Sequence, residues 1–79
     1  MRPRAYKLPL LRQFGALVRA KREAAGLSQE ELGFRAGLHR TYVGSVERGE
    51  RNITLANVYR LAKALGCSAT ELMPEALDD

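Results

Sequence analysis

The 79-residue sequence contains one cysteine, Cys67, one histidine, His39, and no tryptophan. A lone cysteine excludes an internal disulfide, and together with one histidine it supplies too few soft ligands for a structural zinc site. No metal and no cofactor is therefore expected, and a reducing, cytoplasmic setting fits. Long apolar runs are missing too. None exceeds four residues, whereas a bilayer-spanning helix needs about 20, and the first residues lack the apolar core of a secretory signal. No membrane role is expected. A chain this short builds one small domain, so a multidomain enzyme with a deep cleft is excluded. His39 sits at a helix start without a base–nucleophile partner in the sequence pattern, so catalysis is not expected either.

What remains is the composition of a folded globular domain, because 46% hydrophobic residues are too many for a disordered chain. The net charge of +4 is unevenly spread. Residues 1–51 carry eleven basic side chains against five acidic ones, a net of +6, while residues 52–79 carry two against four, a net of −2. A basic N-terminal region is what a polyanion-binding surface needs, and an acidic tail repels the same polymer. An unevenly charged solvated surface is the plainer alternative.

The first nine residues hold Pro3, Pro9 and three basic side chains, and they read as a basic N-terminal arm. Residues 10–79 read as a single domain. Leu10, Leu11, Phe14, Leu17, Val18 and Ala25 share one arc of a first helix that stops at Gly26. Lys21 points toward that arc, with its aliphatic stem expected along the core edge. Ser28-Gln29-Glu30-Glu31 is a capping box that opens a short second helix carrying Leu32 and Ala36 and ending at Gly37. A third helix runs from Arg40 to Arg48 and is closed by Gly49. Helix, tight glycine turn, helix over residues 28–49 is a helix-turn-helix, in which one face of the second helix stays free. Thr54 caps a fourth helix bearing Leu55, Val58, Leu61, Ala62 and Leu65 on one arc, and a second capping box, Ser68 to Glu71, opens a short fifth helix broken by Pro74. The expected fold class is all-α, a compact five-helix domain without strands.

On a wheel of about 100° per residue, Val43 and Val46 anchor the third helix, and Arg40, Thr41, Gly44, Ser45 and Arg48 fall on the opposite arc, with Tyr42 on the flank. Small polar side chains and arginine around a glycine suit a DNA major groove, which admits one helix and rewards Arg on guanine and Thr on a thymine methyl or base edge. Arg51 and Asn52, in the loop before the fourth helix, are candidates for phosphate contacts. So is Gln29, beside the amides and positive dipole end of the second helix. Glu47 falls next to Val43, where an unpaired carboxylate is costly, and Arg22 is the partner chosen for a structural ion pair.

The segments Leu27-Ser28-Gln29-Glu30-Glu31-Leu32 through Val46-Glu47-Arg48-Gly49 resemble the helix-turn-helix domain of the phage repressor and Cro-like (XRE-type) family, over residues 11–73. More narrowly, Arg40-Thr41-Tyr42-Val43 with Glu47-Arg48-Gly49-Glu50-Arg51-Asn52-Ile53-Thr54 resembles the controller proteins of restriction–modification systems. The resemblance implies a lambda-repressor-like domain that works as a homodimer on a two-fold, double-stranded operator, with Gln29 on phosphate. It further implies Arg40 and Thr41 on bases, Tyr42 against a deformed DNA step, and Arg51 and Asn52 on the backbone. The family's ion pair falls on Arg22 and Glu47. In phage activators an acidic residue after the glutamine contacts RNA polymerase; Glu30 occupies that place, and Phe34 stands where a second acidic residue would follow.

Two half-sites about 34 Å apart multiply the affinity of a small reader, so a dimer surface is needed. Leu65, Leu72, Met73 and Leu77 are the apolar candidates late in the chain, with the monomer core as the alternative for each. The function expected is a sequence-specific transcription regulator. A DNA-binding antitoxin or a phage-type repressor would share the fold, and a pure protein-interaction bundle would lack salt-sensitive DNA affinity.

Overall fold

Pro9 opens the first helix. A proline is accepted at that position because the amide it lacks would have no intrahelical partner there, and its fixed φ suits a helical turn. The computed structural model describes residues 9–75, so the arm expected over residues 1–9 lies, apart from Pro9, outside the described residues, as does Leu77. Four α-helices follow in order: α1 Pro9–Ala24, α2 Gln29–Ala36, α3 Arg40–Glu47 and α4 Leu55–Leu65. A four-residue 3-10 turn, Ala69–Leu72, comes after them, and there is no strand among the described residues.

The helix ends are where the cap residues place them. Ser28 Oγ accepts from the Glu31 amide at 3.0 Å and the Glu31 carboxylate accepts from the Ser28 amide at 2.8 Å, closing the capping box of α2. Thr54 caps α4 through the Asn57 amide. Gly37 and Gly66 end α2 and α4 in the left-handed conformation. α3 has an unusual cap: His39 Nδ1 accepts from the Thr41 amide at 3.0 Å. α3 stops at Glu47, one residue before the expected Arg48, which becomes its C-cap.

Phe14 and Val18 of α1, Leu32 and Ala36 of α2, and Val43 and Val46 of α3 meet in one core. Val58, Leu61 and Ala62 of α4 close it, and Leu72 of the 3-10 turn plugs the open end. At about 25 cal/mol per Å² of apolar surface removed from water, this burial is the main favourable term in so small a domain. α1 reaches α3 at unusually short range. A β-carbon on Gly15 would stand 2.4 Å from the Val46 carbonyl oxygen and 2.5 Å from that of Glu47, so only glycine lets α1 lie against the end of α3. That approach fixes where α3 points.

Several expectations are corrected. The fifth helix is a single 3-10 turn: the Ser68–Glu71 capping box opens it, with the Glu71 carboxylate accepting from the Ser68 amide at 3.0 Å, but Pro74 offers no N–H to extend a helical ladder. Leu72 is fully buried, so it belongs to the monomer core and not to a dimer surface. Leu65 is half-buried against the same core. Leu55, expected inside with the rest of its helix arc, is 71% exposed, since it occupies the first position of α4 where nothing packs over it. Ala25 lies beyond α1 and is exposed. Lys21 does more than shelter its stem: its ammonium meets the Glu71 carboxylate at 2.7 Å, tying α1 to the 3-10 turn.

Glu71 therefore accepts from Lys21 and from the Ser68 backbone, and both hold its carboxyl well below the usual range, at about 2. A carboxyl depressed in the folded state contributes stability that is fully present above its unfolded value, near 4.3, and disappears as pH falls through its folded value. The melting temperature of Glu71→Gln should fall below that of the parent protein by a constant amount above about pH 5, and the gap should close between about pH 4 and pH 2. Thermal melts across that range check this; a gap that persists undiminished to pH 2 contradicts it.

Candidate nucleic-acid interface

α3 is propped from beneath. Val43 is fully buried and Val46 is 2% exposed, so the helix has only one way to sit on the core. Its opposite side presents Arg40, Thr41 and Arg48 to solvent. The helix has no acidic residue in its first turn and instead begins with Arg40. Helix N-termini are the positive end of the backbone dipole and are normally balanced by acids, as Glu30 and Glu31 balance α2. An arginine there works against local helix stability and adds to an anion-seeking end. Glu30 Oε2 is 3.7 Å from an Arg40 guanidinium nitrogen, an exposed contact that contributes little.

The end of α3 is clamped by two side chains, one from α1 and one from α2. Arg22 presents the edge of its guanidinium to Glu47, with Nε donating to Oε2 at 2.7 Å and Nη2 donating to Oε1 at 3.0 Å. Its remaining nitrogen donates to the Leu27 carbonyl at 2.9 Å. Gln29 Nε2 donates to Glu47 Oε1 at 3.0 Å. The Glu47 side chain is 3% exposed and that of Arg22 is 12% exposed, so the pair is close to dry. Hydrogen bonding to Glu47 raises the Arg22 pKa against the opposing effect of burial. The pair expected between helix 1 and helix 3 is present. Gln29, expected on phosphate, has one amide hydrogen committed to Glu47.

Gly44 is the floor beneath two of these groups. A β-carbon there would lie 3.2 Å from Arg48 Nη1 and 3.2 Å from Gln29 Oε1, so both side chains lie across the glycine, which is buried beneath them. Gly44, which the wheel places on the outward arc, is covered by the protein's own side chains.

Ser45 is a correction. The helical wheel puts it on the outward arc with the base-reading candidates, yet it is 5% exposed. Its hydroxyl donates to the Tyr42 carbonyl at 2.7 Å and accepts from Arg51 Nε at 3.1 Å. The loop that follows α3 turns back over this side of the helix, which a wheel drawn for one helix does not show. Ser45 positions Arg51, and Arg51 also lies 5.6 Å above the Tyr42 ring. Tyr42 is half-buried, and its hydroxyl accepts from Asn57 Nδ2 at 3.1 Å, joining α3 to α4. Asn57 was not anticipated, because nothing in its sequence position marks a contact to residue 42. Asn52 is exposed, and Arg51 is exposed despite its two contacts.

Thr41, Arg48, Glu50 and Arg51 rim a shallow depression with Ser45 at its base. Together with Arg40 this makes one continuous arginine-and-hydroxyl surface built on α3 and the loop after it. Such a surface, projecting from the second helix of a helix-turn-helix, is what a major groove accepts.

The comparisons agree with this geometry. A family model described as "Helix-turn-helix" matches residues 18–72, the segment from mid-α1 to the 3-10 turn. The chain belongs to the XRE-type helix-turn-helix family of DNA-binding transcription regulators. It is 55% identical over 56 residues to Control protein C.SmaI of Serratia marcescens, covering 71% of this chain and 67% of that one. It is 44% identical over 61 residues to Control protein C.BamHI of Bacillus amyloliquefaciens, covering 76% and 75% respectively. Among solved structures, the restriction-modification controller protein C.AhdI of Aeromonas hydrophila superposes with a TM-score of 0.79 at 52% identity, over 80% of this chain and 96% of that one.

Because Glu47 accepts three hydrogen bonds in a nearly dry setting, removing it leaves Arg22 buried without its counter-charge. Glu47→Ala should lose about 3–5 kcal/mol of folding free energy. Chemical denaturation measures this, and a midpoint equal to that of the parent protein would remove the clamp from the account.

Proposed function

We propose that this chain is a controller of the restriction–modification type, a sequence-specific regulator that binds a two-fold operator as a homodimer and places α3 in the major groove. The observation that carries the reading is the outward arc of Arg40, Thr41 and Arg48 on a helix held by Val43, Val46 and the Glu47 clamp. The controller proteins to which the chain is similar support it.

In this reading Arg40 and Thr41 enter the groove first, since α3 begins with them and the first residues of a recognition helix approach base edges most closely. Arg48, about two turns further along at the C-cap, reaches the groove from the end of the helix. Tyr42 lies at the flank against a deformed DNA step. Arg51 and Asn52 take backbone phosphates, Arg51 already aimed by Ser45, and Gln29 takes another from the start of α2. Glu30 stands exposed beside Arg40 at the edge of this face, and Phe34, one turn further along α2, is 88% exposed. A polymerase subunit on adjacent promoter DNA would meet these two.

A second copy of the chain covers the apolar groove at the start of α4. Leu10, Ile53, Leu55, Met73 and Pro74 line it, and Leu55 at 71% and Met73 at 42% are among the most exposed large apolar side chains described. The groove includes Asn52 and Ile53, which follow Arg51 in the chain. The molecule measures 36 × 24 × 20 Å, a size at which two copies side by side span half-sites about 34 Å apart.

Two measurements test the reading. Arg40→Ala should weaken binding to a duplex selected by this protein from a random pool by about 1–3 kcal/mol and relax one base preference, while Arg51→Ala should weaken all sequences alike and flatten the salt slope by about one. An Arg40→Ala protein with parental affinity and preference would refute the groove assignment. Leu55→Glu should convert a dimer to a monomer in sedimentation without lowering the monomer's stability, because the side chain is exposed; an unchanged sedimentation coefficient refutes the interface.

A further inference from the structure

Arg48 does not stand free on the recognition surface. Its Nε donates to Glu50 Oε2 at 2.9 Å and its Nη2 donates to Glu50 Oε1 at 3.1 Å, a two-point contact between residues just two apart in sequence. Gly49 between them makes this possible, with a φ of 77° that turns the chain back on itself. Of the three Arg48 guanidinium nitrogens only Nη1 makes no contact with the Glu50 carboxylate, and it lies over Gly44, on the side of Gln29. Both side chains are well exposed, at 60% and 47%, so the pair does little for folding. An acidic residue in the middle of a DNA-facing surface also repels phosphate, and Glu50 lies near Arg51 as well as Arg48. Nothing in the fold requires it.

We propose that Glu50 is a specificity-determining residue, which holds Arg48 through its Nε/Nη2 edge and leaves Nη1 as the group offered to a base. An unrestrained arginine at the rim of a DNA surface pairs readily with any phosphate and adds to affinity for every sequence. With its charge offset and two of its three nitrogens occupied, Arg48 gains little from phosphates. It gains where a base acceptor such as guanine O6 or N7 lies in line with Nη1. Glu50 thereby lowers non-specific binding more than operator binding, which is how a repulsive element produces selectivity. The hydrogen bond to Arg48 holds the Glu50 carboxyl below its ordinary range, so the group stays charged wherever the protein works.

The inference rests on the placement of Arg48 at the groove, and the experiment separates the two. Affinity of the full-length chain is measured by fluorescence anisotropy, at several salt concentrations, for the duplex it selects from a random pool and for a scrambled duplex of equal composition. The proteins are the parent, Glu50→Gln, Arg48→Ala and the double variant. Glu50→Gln should bind the scrambled duplex about three- to tenfold more tightly, steepen its salt slope by about one, and narrow the ratio between the duplexes, at an unchanged melting temperature. In the Arg48→Ala background the same substitution should leave the ratio unaltered. If Glu50→Gln changes neither scrambled binding nor the ratio while Arg48→Ala weakens the selected duplex, the role of Glu50 is overturned and the groove assignment stands. An effect that persists without Arg48 is a general charge effect and also overturns it. If Arg48→Ala leaves the selected duplex bound as before, the placement of Arg48 falls and takes the inference with it.

Discussion

The buried contact of Glu47 with Arg22 and Gln29 is the constraint on which the interface depends. It joins the end of α1, the start of α2 and the end of α3 at one carboxylate. Charge in a nearly dry site is costly unless every acceptor is used, and here three donors converge on the two oxygens. The same geometry that satisfies the carboxylate therefore dictates the angle between the two helices of the helix-turn-helix. A hydrophobic substitute would fill the volume, but it would not tie three elements to a single direction.

From that anchor the recognition surface is built in layers. Val43 and Val46 fix the rotation of α3 about its axis, and Gly15 allows α1 to press against its end. Above that, Gln29 and Arg48 lie across Gly44, and Ser45 links Tyr42 to Arg51. The outermost layer consists of Arg40, Thr41 and Arg48, the groups left with donors for a ligand. Glu50 holds Arg48 and Ser45 holds Arg51, so these two arginines lose less freedom on meeting a ligand than unrestrained side chains would.

The charge distribution fits this division. The surface around α3 gathers arginines from the basic part of the chain, while Glu71 of the acidic part is occupied with Lys21 of α1 and the Ser68 backbone. Two acids near this surface touch its arginines: Glu30 meets Arg40 and Glu50 meets Arg48. The first contact is a loose one at 3.7 Å, the second a two-point clasp. The two arginines are thus held to different degrees before any DNA arrives.

The four α-helices, the Ser28 and Thr54 caps and the inward valines of α3 were legible in the sequence, because apolar spacing at about 3.6 residues and Ser, Thr or Gly at helix ends are local signals. The Arg22–Glu47 pair was legible as well, since a carboxylate on an inward arc demands a cation and the first helix offers one at the right place. Ser45, Leu55 and Gly44 were not, and the choice between core and dimer surface was open for Leu72. Each depends on what another element lays over it: the loop after α3 on Ser45, nothing on Leu55, the whole core around Leu72, and two side chains on Gly44. The sequence by itself determined the elements and the face each would bury, through forces acting within one turn of helix. Only the tertiary structure decided which exposed-looking groups are spent inside the protein, because that depends on contacts between residues far apart along the chain.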